Sequence, residues 1–594
     1  MRCPRFFVFL LALVPLAART CSAQRAALAN GSSTPISVFN YDSAYGEFPA
    51  PVNEAQAMRE LDELARLKNA GMHSDFALMD ASWFVPASAY RTLRASDWPH
   101  GADSWMARCV SIGVRPGLRI EGNAAPMQLA MPQLPTQWRD SLTSDGRSLS
   151  LSDGGFLPDV MAAMQTWYDR GVRLFEFDSV DLTAATPASA AKLSQSEIAN
   201  RNAAALRQAF EAFGARNRDA VLVIALKPGI NERQAHLAQA AVSGAANRTG
   251  QNEKQLGAFA LVSTGFPSPQ AAPQANLWRS IDIENDDSVR RLEQSGLSLA
   301  QIESDGFTAS GNADSGMHAW KGAYLLSLAR GGWVNAVHGD LALISDDDAR
   351  WMGRAQRLFF TLQQEGHLHS FGAAAGSGEP YGFAASTAHG SVYVVVNPGE
   401  TVAQVTLPSA GSVHDEGGRV QFEDAGFAPR LNGNTITLGP GQMAMVGNGA
   451  FSAAAYRLGV QEDVIIPHSV AQVDADFHAN DAGALEASIE PPMSGVVRLV
   501  VRPRAGEAQK DSVQKDSAGA DQDFTQDFTL VATQYGRPIP VRLDDSGKHG
   551  AGQGWTVGEI DVNDLTPGVP LVVQVHSSDS AMASLEADAY AVEY

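Results

Sequence analysis

Between residue 36 and about residue 350, short apolar runs alternate with stretches in which apolar residues recur every three or four positions. The runs predict buried β-strands, and the longer stretches predict helices with one face on a core. The predicted strands are ISVFN (36–40), FALMD (76–80), RPGLRI (115–120), VRLFEFD (172–178), AVLVIAL (220–226), AFALVST (258–264) and WVNAVHGD (333–340). Helices are predicted between them, among others over residues 54–68, 157–171, 196–218 and 319–331.

This alternation predicts parallel strands that are joined by helical crossovers. Its length favours a (β/α)8 TIM barrel over residues 36–365, a fold whose active site lies at the carboxyl ends of the strands. A doubly wound sheet is the alternative. Such a sheet usually carries a glycine-rich nucleotide loop after its first strand, and the sequence has none at that place.

After about residue 370 the pattern changes to alternating apolar and polar positions that are broken by Gly, Pro and Asn. Alternation of this kind predicts antiparallel strands with one buried face. We expect a β-sandwich over residues 370–448 and a β-rich C-terminal domain over residues 456–594. Around residues 505–525 the motifs QKDS and DFT each occur twice in a polar, low-complexity stretch, which predicts a mobile insert.

The first 23 residues place two arginines ahead of an apolar run from Phe6 to Ala18, and small residues lead up to Ala23. This arrangement predicts a cleavable signal peptide, and therefore a secreted or periplasmic protein. The run is too short to span a membrane, and no later segment predicts a span in the mature chain. Cleavage after Ala23 leaves Cys109, so no intrachain disulfide is expected.

The formal net charge of −21 at pH 7 argues against nucleic acid as a partner, because two polyanions repel each other. A neutral oligo- or polysaccharide is a compatible substrate. No metal or other cofactor is expected, because His367 and His369 lack a third ligand at a diagnostic spacing. A nucleophile elbow of the G-x-S-x-G type is also missing at any predicted strand–helix turn. The oligomeric state stays open.

Acidic residues stand near the ends of the predicted strands: Asp80, Glu121, Asp178, Asp282 and Asp340. Any one of them is explained equally well by acidic loops or by pairing with arginine. Several carboxyl groups at one barrel rim are harder to explain in that way. Hydrolysis of a glycosidic bond uses two carboxyl groups, one to attack or activate water and one to protonate the leaving oxygen.

Alternate side chains of a strand share a face, so Leu174, Glu176 and Asp178 are predicted to point together into the barrel. Aromatic rings near the rim are the other expected feature of a sugar site, since they stack on the apolar face of a sugar. Trp83, Trp98, Trp278 and Trp333 are candidates. For each tryptophan alone, packing in the core is the simpler explanation.

Five segments occur in the order found in the α-galactosidase (melibiase) superfamily, glycoside hydrolase clan D. The segment DASW (80–83) resembles the family's Asp-Ala-Gly-Trp element, and residues 97–121 resemble its "Phe-Pro-Asn-Gly", helix, "Gly-Leu-Lys-Phe-Gly-Leu-Trp" segment. The segment WYDRGVRLFEFD (167–178) is similar to its "Trp-Gly-Val-Asp-Tyr-Leu-Lys-Tyr-Asp" strand. The segment LWRSIDIEND (277–286) resembles its Trp-Arg-containing acid/base segment, and NYDSAYG (40–46) is weakly similar to its first-strand region.

The resemblance implies a retaining α-glycoside hydrolase with α-galactosides as the default substrate, and a β-sandwich after the barrel. Asp178 matches the position of the nucleophile, and Asp282 matches the general acid/base, with Asp286 as its competitor. Asp80 and Trp83 match substrate-binding positions. Residues also expected to line the substrate site are Glu121, Glu176, Lys227 and Arg279.

Two segments depart from the family pattern. Glu176 stands where the family usually has a lysine that binds sugar hydroxyls, and an ionised carboxylate cannot donate those hydrogen bonds. The segment ALKPGIN (225–231) replaces a cysteine-containing strand end, and its Lys227 either supplies the missing cation or faces solvent. The departures leave two alternatives open: a non-catalytic carbohydrate-binding protein on the same barrel, or a glycosidase that acts on a different sugar.

Overall fold

The computed structural model describes most of the barrel and both β-rich regions. The described residues are 35–41, 52–80, 83–123, 134–226, 232–246, 257–260, 280–297, 299–309, 317, 319–365, 367–409, 417–480, 484–503, 528–544, 556–577 and 585–594. The predicted signal peptide and the predicted insert over residues 505–525 therefore lie outside the described residues.

Eight parallel strands close into a barrel in sequence order, so the predicted TIM barrel is confirmed. The strands are β1 (Ile36–Tyr41), β2 (Phe76–Met79), β3 (Arg115–Glu121), β4 (Leu174–Val180), β5 (Val221–Leu226), β6 (Gly257–Ala260), β7 (Ile302–Ala309) and β8 (Val334–Gly339). The sequence pattern missed β7, because Glu303, Ser304 and Asp305 interrupt its apolar residues. Glu303 is the register partner of Val334 and is buried inside the barrel wall.

Several helices of the barrel region begin or end at ordinary capping signals. They are α1 (Glu54–Ala70), α2 (Ala102–Ser111), α3 (Phe156–Arg170), α4 (Pro187–Ala190), α5 (Gln195–Arg216), α6 (Glu232–Ala246), α7 (Ser280–Gln294), α8 (Trp320–Ala329) and α9 (Asp346–Glu365). Asn53 caps α1 by accepting a hydrogen bond from Gln56, and Ser194 with Glu197 forms a capping box at the start of α5. Within the described residues, none of the helices has the length and apolarity that a membrane span requires.

The floor of the barrel is apolar and its rim is polar. Side chains from four strands and the start of β8 form one interior cluster: Ile36, Val38, Phe76, Leu78, Leu174, Val221, Val223, Ala225, Trp333 and Val334. Leu174 belongs to this cluster, whereas Phe175 and Phe177 pack with the surrounding helices. The predicted alternation along β4 is therefore present, and Glu176 and Asp178 share the inward face with Leu174.

The first β-sandwich follows α9 directly. Its larger sheet contains β9 (His367–Gly372), β10 (Tyr381–Thr387), β11 (Gly390–Val396), β13 (Arg419–Ala425), β16 (Met443–Gly447) and β17 (Gly459–Ile465). The smaller sheet contains β12 (Ala403–Thr406), β14 (Arg430–Asn432) and β15 (Thr435–Leu438). Because β17 pairs with β13, this sandwich continues to Ile465, beyond the boundary near residue 448 that the turn residues predict.

The C-terminal domain is a second antiparallel sandwich. One sheet contains β18 (Ser469–Val473), β21 (Val496–Pro503), β24 (Arg542–Asp544), β25 (Thr556–Asp561) and β27 (Leu585–Glu593). The other contains β19 (His478–Ala479), β20 (Leu485–Ile489), β22 (Phe528–Gln534), β23 (Arg537–Ile539) and β26 (Leu571–Ser577). The two sheets bury a core of aliphatic side chains between them.

A buried charge cluster joins the barrel to the first sandwich. Asp286 on α7 is fully buried, and its carboxylate accepts a hydrogen bond of 2.6 Å from the guanidinium of Arg330, which follows α8. The hydroxyl of Tyr381, from the sandwich strand β10, donates to the second carboxylate oxygen of Asp286 at 2.6 Å. Arg290, one turn further along α7, donates to the backbone carbonyls of Phe371 and Gly372. These contacts fix α7 against the sandwich.

We predict that Asp286→Asn lowers the free energy of unfolding by about 3–5 kcal/mol, because it removes the charge of the buried carboxylate that Arg330 binds. Tyr381→Phe is expected to lower the free energy of unfolding by a smaller amount, about 1.5–3 kcal/mol, since one hydrogen bond to a charged group is lost. Urea denaturation followed by tryptophan fluorescence measures both effects.

Asp347→Asn is the matched control, because Asp347 pairs with Arg350 at an exposed position of α9. Exposed ion pairs contribute little to stability, so its unfolding midpoint should stay at the wild-type value. Equal midpoints for Asp286→Asn and Asp347→Asn would contradict the stabilising role of the buried cluster.

Candidate active site

Three carboxyl groups meet at the carboxyl ends of β2, β3 and β4. Asp80 follows β2 directly, Glu121 ends β3, and Asp178 lies near the end of β4. Glu121 and Asp178 are register partners across the β3–β4 pair. Asp80 is buried, whereas Glu121 and Asp178 keep part of their surface exposed. The structure thus brings together three of the residues that the sequence singled out, at the rim where TIM barrels carry their active sites.

The backbone at Asp178 is irregular. The β4–β5 register shifts between Phe177 and Val180, and Ser179 adopts a φ of 50°, which a residue other than glycine rarely does. The Ser179 amide donates to the Asp178 carboxylate at 2.7 Å. Bulges and left-handed residues of this kind are common beside active sites, where they re-aim a side chain. Here the irregularity orients the Asp178 carboxylate.

Close packing of the ends of β3 and β4 fixes the backbone of Asp178. The amide of Gly122, the residue after β3, donates to the backbone carbonyl of Asp178 at 2.5 Å. A Cβ atom on residue 122 would lie 2.1 Å from that oxygen, so the approach requires glycine. The carboxamide of the fully buried Asn123 donates to the carbonyl of Asp181, and its oxygen accepts from the Asp181 amide. The loops after β3 and β4 are therefore joined.

Glu176 is paired with an arginine inside the barrel. Its carboxylate lies 3.1 Å from Nε of Arg119, its register partner on β3. Both side chains are largely buried, with Glu176 only 3% exposed. A buried carboxylate next to Asp178 would be costly without such a partner. Arg119 thus supplies, from the neighbouring strand, the cation that the sequence analysis sought in Lys227.

The protonation of Glu121, at the rim, differs from that of an exposed glutamate. Burial raises its pKa to about 7, and the negative charges of Asp178 and Asp80 act in the same direction, while Arg94 opposes them. A carboxyl group with such a pKa holds a proton near neutral pH. Paired carboxyl groups with different protonation states are a common feature of catalytic sites.

Tyr90 is a residue of the candidate site that the sequence pattern does not indicate. It lies in the loop after β2 with a φ of 63°, and its hydroxyl donates to the backbone carbonyl of Glu121 at 2.6 Å. Burial raises the pKa of this hydroxyl, and the nearby carboxylates of Glu121 and Asp178 raise it further. A tyrosine in a loop gives no sequence signal for this position, because the strained backbone that places it depends on the surrounding packing.

The tryptophans within the described residues do not offer a face to a sugar. Trp83 is 1% exposed, donates from its indole nitrogen to the carbonyl of Arg119 at 3.1 Å and packs edge-on against Trp167. Trp98 and Trp333 are also buried. The expected substrate-binding role of Trp83 is therefore replaced by a structural role beneath the site. Trp278 lies outside the described residues.

Of the remaining predicted site residues, some lie within the described residues and others lie outside them. Lys227 and Arg279 lie outside the described residues. Asp282 lies in the first turn of α7, a position at the rim end of the helix that follows β6. Its competitor Asp286 faces the sandwich, where Arg330 and Tyr381 occupy both carboxylate oxygens. This burial argues against Asp286 as an acid/base residue.

Asp340, after β8, forms a local turn. Its carboxylate accepts a hydrogen bond from the amide of Ala342 and caps the turn that follows. Behind it, Glu60 on α1 accepts from the amide of Leu341 at 3.1 Å. Burial raises the pKa of Glu60 to about 7, and the charge of Asp340 contributes. Asp340 therefore has a structural role in this turn.

Comparisons with known proteins show similarity in structure. No family model matches the sequence, and no curated protein matches it. The structure is similar to the galactosidase domain of an α-galactosidase–sucrose kinase, with a TM-score of 0.47 and 12% identity over 70% of this chain and 54% of that chain. An α-galactosidase from Geobacillus stearothermophilus gives a TM-score of 0.46 and 13% identity over 70% of this chain and 56% of that chain.

A third similar structure is α-galactosidase I from Mortierella vinacea, with a TM-score of 0.43 and 13% identity over 70% of this chain and 98% of that chain. The chain spans about half the length of the first two of these proteins. At these identities, the activity of this chain has to be inferred from its own residues.

We predict that the protein loses stability as the pH rises from about 4.5 to about 7, because Glu60 and Glu121 have raised pKa values in the folded state. A carboxyl group whose pKa is higher in the folded protein binds its proton more tightly there. Its stabilising contribution is complete below the unfolded pKa and is lost as the pH rises through the folded pKa.

Glu121→Gln removes one of these titrations and should flatten the pH dependence of the unfolding midpoint. Glu60→Gln is the matched control, since it removes a similar titration behind β8, away from the three rim carboxyl groups. The two effects should add, because the groups belong to different clusters. A Glu121→Gln variant with the full wild-type pH dependence would contradict the raised pKa of Glu121.

Proposed function

We propose that the protein is an exported retaining α-glycoside hydrolase, with α-galactosides as the default substrates. The observation that carries this proposal is the convergence of Asp80, Glu121 and Asp178 at the carboxyl ends of three adjacent barrel strands. The resemblance of the sequence segments around Asp80 and Asp178 to melibiase elements supports the same function. Export rests on the predicted signal peptide alone.

Asp178 is the proposed nucleophile. Among the residues that the structure describes, no basic side chain forms an ion pair with its carboxylate, so its charge is available for attack. The Ser179 amide holds one carboxylate oxygen, and the bulge points the group into the barrel. Attack on the anomeric carbon would form a glycosyl-enzyme ester that water then hydrolyses with net retention.

Asp282 is the proposed general acid/base. In a retaining enzyme this group protonates the leaving oxygen and later removes a proton from the attacking water. Support comes from its place in the first turn of α7, at the rim end of that helix, and from its match to the melibiase acid/base segment. The contacts of Asp286, Arg290 and Arg330 fix the helix that would carry it.

Glu176 favours a second candidate function, a glycosidase of the same fold that acts on a different sugar. The family lysine at this position donates hydrogen bonds to sugar hydroxyls. Here the equivalent side chain is a buried carboxylate paired with Arg119, so those donors are missing from β4. Hydrolysis of a panel of aryl α- and β-glycosides by the mature protein distinguishes the sugars.

We predict that Asp178→Asn reduces the hydrolysis of the preferred aryl α-glycoside to background, because an amide cannot form the glycosyl ester. Proton NMR of the first product should show the α-anomer, as retention requires. Asp178→Gly with added azide should give a glycosyl azide of inverted configuration.

Asp181→Asn is the matched control for Asp178. Asp181 follows on the same loop, and its carboxylate accepts hydrogen bonds from the amide and hydroxyl of Thr183. Asparagine keeps an acceptor oxygen there, so this variant should remain active. An Asp178→Asn variant that turns over substrate at the rate of Asp181→Asn would contradict the nucleophile assignment.

We predict that Asp282→Asn lowers kcat/KM for substrates with poor leaving groups by about 10²–10⁴-fold, the usual contribution of general acid catalysis. Aryl glycosides with very acidic phenols need no protonation, so their first step should remain fast. Asp287→Asn, on the same helix, is the control because Asp287 pairs locally with Arg291. Equal losses for good and poor leaving groups would contradict an acid/base role for Asp282.

A further inference from the structure

A fully buried asparagine lies on the outer helix that follows β4. Asn202 belongs to α5 and is 0% exposed. It lies on the buried face of that helix, between Ile198 and Leu206, at a position where an aliphatic side chain is usual. Asparagine also favours helix formation poorly, because its side chain competes for backbone hydrogen bonds. Such a residue needs a specific set of contacts to be stable at this position.

The Asn202 carboxamide contacts the backbone of two separate segments. Its oxygen accepts hydrogen bonds from the amides of Leu151 and Ser152 at 3.1 and 3.0 Å. Its nitrogen donates to the carbonyls of Leu182 and Ala184 at 2.9 and 2.8 Å. A carboxamide has two N–H donors and an oxygen that accepts two bonds, so these four contacts use its full capacity. Asn202 thus joins the segment before α3 to the segment after β4.

Asn123 joins the same two segments from the end of β3. Its carboxamide nitrogen donates to the carbonyls of Leu149 and Asp181 at 2.6 and 2.8 Å, and its oxygen accepts from the Asp181 amide at 2.8 Å. The Leu149 amide in turn donates to the Asn123 carbonyl at 2.8 Å. Two buried asparagines, one after β3 and one on α5, therefore hold residues 149–152 and residues 181–184 together.

The turn over residues 178–184 contains the left-handed Ser179. A positive φ at a residue other than glycine is unfavourable and persists only where the surrounding structure fixes it. Gly122 holds the start of this turn through the Asp178 carbonyl, and Asn202 holds its end. Without the second attachment the backbone at Ser179 can relax, and the Asp178 carboxylate then loses the direction that the Ser179 amide gives it.

We propose that Asn202 is a positioning residue for Asp178, because it keeps the strained turn after β4 in the form that directs the carboxylate into the barrel. This role rests on the proposed function of Asp178 as the nucleophile. Asn202 is fully buried and its carboxamide contacts backbone groups, so it acts through residues 179–184 and does not touch the substrate.

The test compares the kinetics of Asn202→Ala and of the wild type on aryl α-glycosides. A nucleophile that is displaced by about 1 Å loses about 10²-fold in rate, so kcat and kcat/KM should fall together by about that factor. The loss should be equal for good and poor leaving groups, because proton transfer from the acid/base is unaltered. Asn202→Ser leaves a smaller cavity and retains one donor, so it gives the same comparison, with a smaller loss, should the alanine variant not fold.

Asn217→Ala is the matched control. Asn217 is a buried asparagine at the other end of α5, where it exchanges two hydrogen bonds with Gln165 of α3. Its replacement should lower the unfolding midpoint but leave kcat at the wild-type value, because this end of the helix lies away from the rim. Equal kcat values for Asn202→Ala and Asn217→Ala would overturn the proposal, and so would a loss that appears in KM alone.

Hydrogen exchange without substrate separates this proposal from the proposed function. The amides of Gly122 and Ser179 contact Asp178 and do not contact Asn202. In Asn202→Ala both amides should lose protection, whereas in Asn217→Ala both should exchange at the wild-type rate. If the wild type hydrolyses no glycoside but this loss occurs, the proposed function fails and the control of the turn by Asn202 stands. Wild-type protection of both amides in Asn202→Ala overturns the positioning role, whether or not the protein is an enzyme.

Discussion

The ion pair of Arg119 and Glu176 inside the barrel is the contact on which the candidate site depends. It lies between the apolar floor of the barrel and the carboxyl groups of the rim, and both side chains are largely buried. Removal of either partner would take a counter-ion away from a largely buried charge, which is strongly destabilising. Because Arg119 neutralises Glu176, the negative charge that remains near Asp178 comes from the rim itself.

This pair also contains the residue at which the sequence departs from the melibiase pattern. A lysine is usual at the position of Glu176, whereas this chain has the acid on β4 and the base on β3. The two residues are register partners, so the charges occupy neighbouring places on one wall. The pairing of an acid on β4 with a base on β3 keeps this part of the wall close to neutral.

The rim is held largely by backbone contacts and by amide side chains. The Gly122 amide binds the Asp178 carbonyl, Asn123 joins the two loops, and the Tyr90 hydroxyl binds the Glu121 carbonyl. Such contacts fix the carboxyl groups without neutralising them, which a reactive carboxylate requires. On the opposite flank, the fully buried Asp286 anchors α7 to the first sandwich, so that domain stabilises a helix of the barrel.

The sequence by itself determined the class of fold and the strands that carry the candidate site. Alternating strands and helices predicted the barrel, and period-two alternation in VRLFEFD placed Glu176 and Asp178 on its inner face, because both patterns follow from local geometry. The pattern missed β7, whose polar residues interrupt its apolar run, and it ended the first sandwich before β17. Only the tertiary structure decided which charges meet: it paired Glu176 with Arg119, placed Asp286 against Arg330 and Tyr381, and buried Trp83 beneath the site. These outcomes depend on residues distant in sequence and on the register of neighbouring strands, neither of which a local pattern encodes.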